Sequence, residues 1–332
     1  MTASADALAA LLREPGRAGR IAVITGAGCS TNSGIGDYRA PDGSWKRAPP
    51  VQMQDFLRDP ATRRRYWARS TLGWPRIANA TPNAAHRALA RLEQDGLLGG
   101  LITQNVDGLH QAAGHQDVID LHGSIGGVTC LDCGVRMTRA ALQPILEGDN
   151  PWLSGVAATA APDGDADIAD HLNLEAFRVP ACRQCGGVLK PDVVFYGDSV
   201  PRARVEEAYR RVESAAMLLV AGSSLMVFSS FRFCRHAQAR GIPIAIINRG
   251  VTRADALAAL KVEADCSRVL AAVADALCGP APQSIPLAAE PTAPAPQAAA
   301  PAAQPTAPAA QPTAPAAQPT APAAQPTARG PG

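Results

Sequence analysis

Five short, largely apolar segments, at residues 21–25, 101–103, 118–121, 217–221 and 244–248, constrain this chain more than any other feature. Half-buried strands alternate apolar and polar residues. Strands that stay apolar are covered on both faces, as in a parallel sheet whose connections are crossover helices. Amphipathic helical patterns around residues 204–213 and 230–240 supply such cover. The chain is therefore expected to be α/β, a Rossmann-like doubly wound parallel sheet, with ligands gathered beyond the carboxyl ends of its strands.

Residues 123–190 interrupt that alternation. They hold a Pro/Asp/Gly-rich stretch at 161–170 and two C-x-x-C pairs, Cys130/Cys133 and Cys182/Cys185. Each pair sets two thiolates on one tight turn, and two such turns supply the four ligands of a tetrahedral Zn²⁺. The 48 residues between the pairs exceed the usual gap of about 15–20, so an extra loop is inserted between the knuckles. Four thiolates leave no open position on the metal, so the expectation is one structural zinc per chain, in a small zinc-ribbon module of approximately residues 123–190. The other cysteines (Cys29, Cys234, Cys266 and Cys278) are scattered, which suits a reducing compartment better than a disulfide framework.

After the first strand comes GAGCSTNSGIGDYR, residues 26–39. Gly26 and Gly28 let backbone approach phosphate oxygens, and the hydroxyls of Ser30, Thr31 and Ser33 add donors. The next glycine, Gly34, stands six residues after Gly28 rather than three, so the dinucleotide fingerprint is incomplete. Cys29 has no candidate base nearby in this stretch and reads as a packing residue. TQNVDGLH, residues 103–110, follows another strand and offers Asn105 and Asp107 as a pair able to read an amide, or as turn formers. His122 ends the next strand, where an imidazole titrating near neutrality suits a general base.

From about residue 280 the composition changes to a Pro/Ala/Gln/Thr tract in which AAQPTAP recurs at 302, 309 and 316. Such a tract cannot bury enough surface to offset its ordering entropy. Residues 280–332 are expected to be a disordered, partly polyproline-II tail, its partner, if any, unidentified. A net charge of +2 gives no footprint for nucleic acid, and Arg63-Arg64-Arg65 reads as a solvated helix face. No apolar run reaches the ~18 residues of a membrane helix. The N-terminal residues lack the layout of a secretion signal, so a cytoplasmic location without membrane contact is expected.

Taken in order, GAGCSTNSGIGDYR, TQNVDGLH, the LHG around His122, the two C-x-x-C pairs, PDVVFYGD (191–198), GSSL (222–225) and NRG (248–250) resemble the sirtuins, NAD-dependent protein deacylases. The resemblance spans about residues 15–278, within a catalytic domain of 1–279. RYWARSTLGWP (65–75) and APDGD (161–165) look most like the class II group, which includes the mitochondrial lipoamidase-like members of animals.

The resemblance implies that NAD⁺ is consumed as a co-substrate. The acyl group of an acyl-lysine protein or peptide passes to ADP-ribose, nicotinamide leaves, and His122 is the base. By position it implies cofactor contacts from Gly26, Ala27, Gly28, Ser30, Asp37, Tyr38 and Arg39, and a ribose and nicotinamide pocket from Gln104, Asn105 and Asp107. Gly222, Ser223 and Ser224 fall on the adenosine side, and Asn248, Arg249, Gly250 and Cys266 at the adenine end. Val194, Phe195, Tyr196 and Gly197 match the segment that pairs with an extended substrate backbone.

Tyr66 and Arg69 match the Tyr-x-x-Arg by which some members bind acidic acyl groups. They suggest a pocket tolerating acidic or bulky acyl groups beside acetyl, although the same spacing sets both on one helix face, where a structural pairing would serve equally. Gly36 replaces the proline usual before Asp-Tyr-Arg, which removes a φ restraint. Two other readings use the same residues: protein ADP-ribosyl transfer, and a non-catalytic NAD-sensing scaffold.

Overall fold

The computed structural model describes residues 3–14, 21–47, 50–169 and 172–280. Beyond residue 280, the repeat tail lies outside the described residues. In chain order the strands are β1 (Ile21–Thr25), β2 (Leu98–Thr103), β3 (Val118–Asp120), β4 (Gly123–Cys130), β5 (Arg136–Thr138), β6 (Ala158–Ala160), β7 (Ala166–Ile168), β8 (Leu189–Val193), β9 (Met217–Ala221), β10 (Ile244–Ile247) and β11 (Leu260–Val262). The helices are α1 (Ala3–Leu12), α2 (Met53–Arg58), α3 (Pro60–Ala78), α4 (Ala84–Gln94), α5 (Leu109–Ala112), α6 (Arg139–Asp149), α7 (Arg202–Ser214), α8 (Phe228–Ala239) and α9 (Cys266–Cys278).

Six parallel strands form the main sheet in the order β11-β10-β9-β1-β2-β3. Alternate residues of each strand feed opposite faces. Ile21, Val23, Leu101, Leu219 and Ile247 pack under α1, α4 and α9, against Leu8, Leu89 and Leu270. Ala22, Ile24, Ile102, Val220 and Ile246 pack under α7 and α8, against Val212 and Phe233. Both faces are thus dry, which is why the central strands read as unbroken apolar runs. The chain order reverses between β1 and β9, so loops leaving their carboxyl ends diverge and open a crevice.

The helices start where the sequence supplies caps. Asp59 accepts from the amides of Ala61 and Thr62 ahead of α3, with Pro60 in the first turn. Asn83 and His86 form a reciprocal capping box on α4. Asp265 accepts from the Arg268 amide to open α9.

The smaller module is more regular than its sequence suggests. β5, β4 and β8 form an antiparallel sheet, and β6 and β7 a hairpin. Its core joins Val128, Leu142, Leu146, Phe177 and Leu189 to Trp67 and Ala68 of α3. The helix at 60–78 therefore packs on the module although it precedes it in sequence, and β8 runs past residue 190 to Val193. The 48-residue gap between the cysteine pairs holds α6 and the β6–β7 hairpin.

Candidate active site

A cleft of about 520 Å³ opens at the carboxyl ends of β1, β2, β3, β9 and β10. Its floor is the β1/β9 reversal, where the Gly26 amide donates to Ala221 O (3.2 Å) and the Gly28 amide to Gly222 O (2.9 Å). The backbones meet too closely for side chains. A Cβ on Gly28 would lie 2.9 Å from Gly222 O, and one on Gly222, whose φ is +64°, would lie 2.4 Å from Cys29 N. Beside them Leu225, buried, takes φ +57°, a conformation costly for a branched side chain and characteristic of functional loops. The two glycine loops thus pack backbone on backbone at the sheet reversal and leave backbone on the cleft floor, a surface that fits a dinucleotide pyrophosphate.

Ala27, Asp37, Tyr38, Arg39, Gln104, Asn105, Ser223, Ser224, Asn248 and Arg249 line the cleft with these glycines. Four expected cofactor residues do not and instead brace its wall. Ser30 is buried, donating to Asp107 Oδ2 (2.7 Å) and accepting from Asn105 Nδ2 (3.0 Å). Asp107 spends its other oxygen on the Leu109 amide (2.9 Å), so its carboxylate holds Ser30 and is not presented to an amide in the cleft. Gly250, at φ +84°, lies against Pro41, where a Cβ would approach Pro41 O to 2.2 Å. Cys266 opens α9 and turns its thiol to Gly28 O (3.3 Å). In the wall itself, Gln104 Nε2 donates to Ser223 Oγ (2.7 Å) and Asn105 Nδ2 to Gly26 O (3.1 Å), tying the β2 loop to the floor.

His122 sits between β3 and β4 with one ring nitrogen 3.1 Å from Gln104 O and the other 2.8 Å from Ser229 Oγ. A carbonyl only accepts, so Nδ1 carries the proton, Nε2 presents its lone pair, and the Ser229 hydroxyl donates to it. Burial, with the Arg204 charge, holds the imidazole down at about 4, so it stays neutral and able to accept a proton throughout the neutral range. Ser229 lies in the first turn of α8 and was not among the residues expected from sequence. The hydroxyl just past the GSSL turn was the available signal.

The end of the glycine loop folds back on itself. Arg39 and Trp45 form an antiparallel bridge, the Arg39 guanidinium lies 3.5 Å over the Trp45 ring, and Nη1 donates to Gly43 O (3.0 Å). Asp37 pairs with Lys46. Tyr38 donates its hydroxyl to Asp163, and Arg47 pairs with Asp167, which fastens this flap to the β6–β7 hairpin.

Arg69 belongs to the same network. Its Nε and Nη2 donate to the two oxygens of Asp165 (2.9 and 2.6 Å), and Nη2 also reaches Asp167 (3.2 Å). Of the two roles the spacing left open for Arg69, an acyl carboxylate or a structural pairing, this structure shows the pairing: two carboxylates of the chain itself engage the guanidinium. Tyr66 packs edge-on against Phe56 and Phe195, and burial raises its phenol well above the usual range, so it stays protonated. The D-x-D spacing of Asp165 and Asp167 was the overlooked signal, since alternate residues of an extended segment share a face, while Asp163 stands in the turn before it.

Val194, Phe195, Tyr196 and Gly197 also border the cleft. Part of their backbone is engaged within the chain: Val194 N donates to His122 O (2.8 Å), Tyr196 O accepts from Met53 N (2.8 Å), and Gly197 O accepts from Gln54 Nε2 (3.0 Å).

Away from the cleft, Cys130, Cys133, Cys182 and Cys185 bring their sulfurs within 4.8 Å of one another, none in a disulfide. Cys130 Sγ to Cys185 Sγ is 3.5 Å and Cys133 Sγ to Cys182 Sγ is 3.8 Å. Zn–S bonds of ~2.3 Å in a tetrahedron place sulfurs about 3.8 Å apart, so the four thiols fit a zinc ion. Cys29, His86 and His110 also cluster. There His86 Nδ1 accepts from Asn83 N (3.2 Å) while Nε2 faces Ser30 Oγ (3.4 Å), so both ring nitrogens are engaged. Contact with the Cys266 thiol and burial push the Cys29 thiol well up. It packs in the core as a neutral thiol and is no nucleophile.

Residues 26–229 match the Sir2 family. The chain is 56% identical over 252 residues to the NAD-dependent protein deacetylase of Xanthomonas campestris pv. campestris (strain 8004), covering 76% of this chain and 86% of that one. The chain belongs to the Sir2 family. Another relative, the NAD-dependent protein deacetylase of Bordetella bronchiseptica, is 53% identical over 254 residues, covering 76% and 92%. Among solved Sir2 structures, one described as a complex of Sir2, p53 peptide and NAD⁺ superposes with a TM-score of 0.61 at 29% identity, covering 80% of this chain and 94% of that one. A Sir2 variant with deacetylated p53 peptide and 3′-O-acetyl ADP-ribose gives 0.66 at 29% identity, covering 82% and 97%. The six-stranded parallel sheet with an attached cysteine-cluster module is the Sir2 fold.

Proposed function

We propose that this chain is an NAD⁺-dependent protein lysine deacetylase, passing the acyl group to ADP-ribose with release of nicotinamide. One observation carries the reading. A neutral histidine, its tautomer fixed by Gln104 O, stands in the cleft whose floor is bare backbone at the β1/β9 reversal. The 52–56% identity to NAD-dependent protein deacetylases supports it.

Bound NAD⁺ supplies a labile bond between nicotinamide and ribose. The backbone of Gly26, Gly28 and Gly222 would hold the pyrophosphate, with Ser223 and Ser224 beside it and Asn248 and Arg249 towards the adenosine. Gln104 and Asn105, held rigid by Ser223 and Gly26, face the nicotinamide ribose. His122 Nε2 accepts a proton from a ribose hydroxyl. Tyr38 and Arg39, fixed by Asp163 and Trp45, exclude water from above. The segment from Val194 to Gly197, which borders the cleft, would take the extended backbone of an acyl-lysine peptide.

Within the family we place the chain in the class II group. The two stretches that suggest it fit each other: a Cβ on Gly73 of α3 would lie 2.3 Å from Gly164 O in the APDGD turn, so the helix and the turn need each other's sequence.

The test is incubation with NAD⁺ and an acetyl-lysine peptide, following nicotinamide release and the acylated product by mass spectrometry. His122→Ala is expected to abolish turnover and to leave NAD⁺ binding, read by calorimetry, intact. Undiminished turnover in that variant would overturn the assignment of the base. ADP-ribosylated protein as the product would overturn the deacetylase reading.

A further inference from the structure

Among the side chains that line the cleft around Tyr66 and Arg69, carboxylates outnumber guanidiniums, while the buried Arg139 stands behind Tyr66. Arg69 and Arg47 supply two guanidiniums, while Asp163, Asp165 and Asp167 supply three carboxylates, and all five line the cleft. Asp165 grips Arg69 on two oxygens, Asp167 bridges Arg69 and Arg47, and Asp163 accepts from Tyr38. The Arg69 and Asp165 side chains are only 28% and 38% exposed, so their pairing is partly shielded from water. Burial ahead of every other influence raises the Asp165 carboxyl, as it does Asp163. Another carboxylate brought here would meet a guanidinium already bound on its bidentate edge and three negative groups at close range.

Resting on the deacylase reading above, we infer that Asp165 and Asp167 determine acyl specificity by neutralising Arg69. The enzyme takes acyl-lysines whose acyl group ends without charge, and rejects those ending in a carboxylate. A Tyr-x-x-Arg pair usable for acidic acyl groups is present, but it is disarmed from within the chain. The carboxylates come from a hairpin 96 and 98 residues further along, held against α3 by the Gly73–Gly164 contact. Rejection here is repulsive, since the site places like charge where the wrong substrate would put its own.

The experiment measures kcat/KM on matched acetyl-lysine and succinyl-lysine peptides for the full chain with NAD⁺. The wild type is expected to favour acetyl at least tenfold. Asp165→Asn with Asp167→Asn keeps side-chain volume and removes two charges, and should raise the succinyl-to-acetyl ratio at least tenfold. Adding Arg69→Gln to that pair should cancel the gain, because the released guanidinium is what would bind the new carboxylate. The single variant Asp165→Asn, which leaves the Arg47–Asp167 pair in place, should move the ratio the same way if the double variant does not fold. A wild type that turns over both peptides within about threefold, or a folded Asn variant with an unchanged ratio, would overturn the inference while the deacetylase reading stands. Absence of any NAD⁺-dependent deacetylation by the wild type would instead refute that reading, and this one with it.

Discussion

Replacing Asp163 with asparagine should stabilise the protein at neutral pH and change it little at pH 4. Burial, then the neighbouring charges of Asp107 and Asp165, raise this carboxyl from 3.8 to about 6, against the lowering effect of the Tyr38 hydroxyl. The sign follows from which form the fold prefers. Well below pH 3.8 the group is neutral in both the folded and the unfolded chain and costs nothing, and at pH 4 only ~0.5 kcal/mol of the cost is present. As pH rises from 4 through 6 the unfolded chain ionises while the fold resists, and stability falls; above 6 the full cost is present. Two units correspond to about 3 kcal/mol. Since Asp163 keeps some solvent contact, roughly 1–3 kcal/mol of gain is expected from Asp163→Asn at pH 7.5. Asparagine tolerates the φ of +55° at this position, and its Oδ1 can still accept from Tyr38, so neither strain nor the flap contact confounds the comparison. Thermal denaturation without NAD⁺ at pH 4.0 and 7.5 is the assay. At about 2–4 °C per kcal/mol, Tm should rise by roughly 2–12 °C at pH 7.5 and far less at pH 4.0. Equal melting at both pH values would refute the buried-carboxylate argument. A loss at pH 7.5 would show that the Tyr38 bond to the charged form outweighs burial.

Ser229→Ala removes the donor to His122 Nε2 and leaves the ring held only through Gln104. Losing one hydrogen bond of ~0.5–1.5 kcal/mol should lower kcat by up to about tenfold with KM for NAD⁺ unchanged, and Ser229→Thr should restore it. Steady-state kinetics decide, and an unchanged kcat would make the contact incidental. Cys133→Ser should take the zinc content, measured by mass spectrometry of the metal, from one per chain to near zero. The β4, β5 and β8 sheet should then lose its protection in hydrogen exchange, and full protection without metal would refute a structural role.

The main sheet was legible because burial on both faces leaves a one-dimensional trace. β9 is apolar at every position and β1 at every position before Thr25, and the sheet buries all of them. β11 left no such trace. It has three residues at the sheet edge, with Lys261 among them paired to Asp255, and edge strands need no unbroken apolar run. The module sheet was hidden for another reason. β4 reads GSIGGVTC, and its glycines accept the close approach of β8: a Cβ on Gly123 would lie 2.1 Å from Asp192 O. A strand built for backbone proximity lacks the β-branched pattern by which strands are recognised.

The site was legible where a residue's role follows from its own chemistry, and not where it follows from a distant partner. A glycine after a buried strand marks a close backbone approach, and a histidine at a strand end marks a candidate base; both are legible from residue type and place, although the fold then sets the His122 imidazole well below its ordinary range and packs Gly28 against Gly222. Arg69 is the opposite case. Three residues after Tyr66 on one helical turn, it can clamp an incoming carboxylate or a resident one, and local spacing is identical for both. The choice is made 96 residues away, by a hairpin whose Asp165 reaches the guanidinium first. Ser30 and Asp107 behave alike: each is typical of a ligand contact, yet they bond each other behind the wall. Charged and hydroxyl side chains in a cleft must therefore be discounted for the partners the fold supplies before any are assigned to substrate. In this chain that discount turns a motif for acidic acyl groups into a barrier against them.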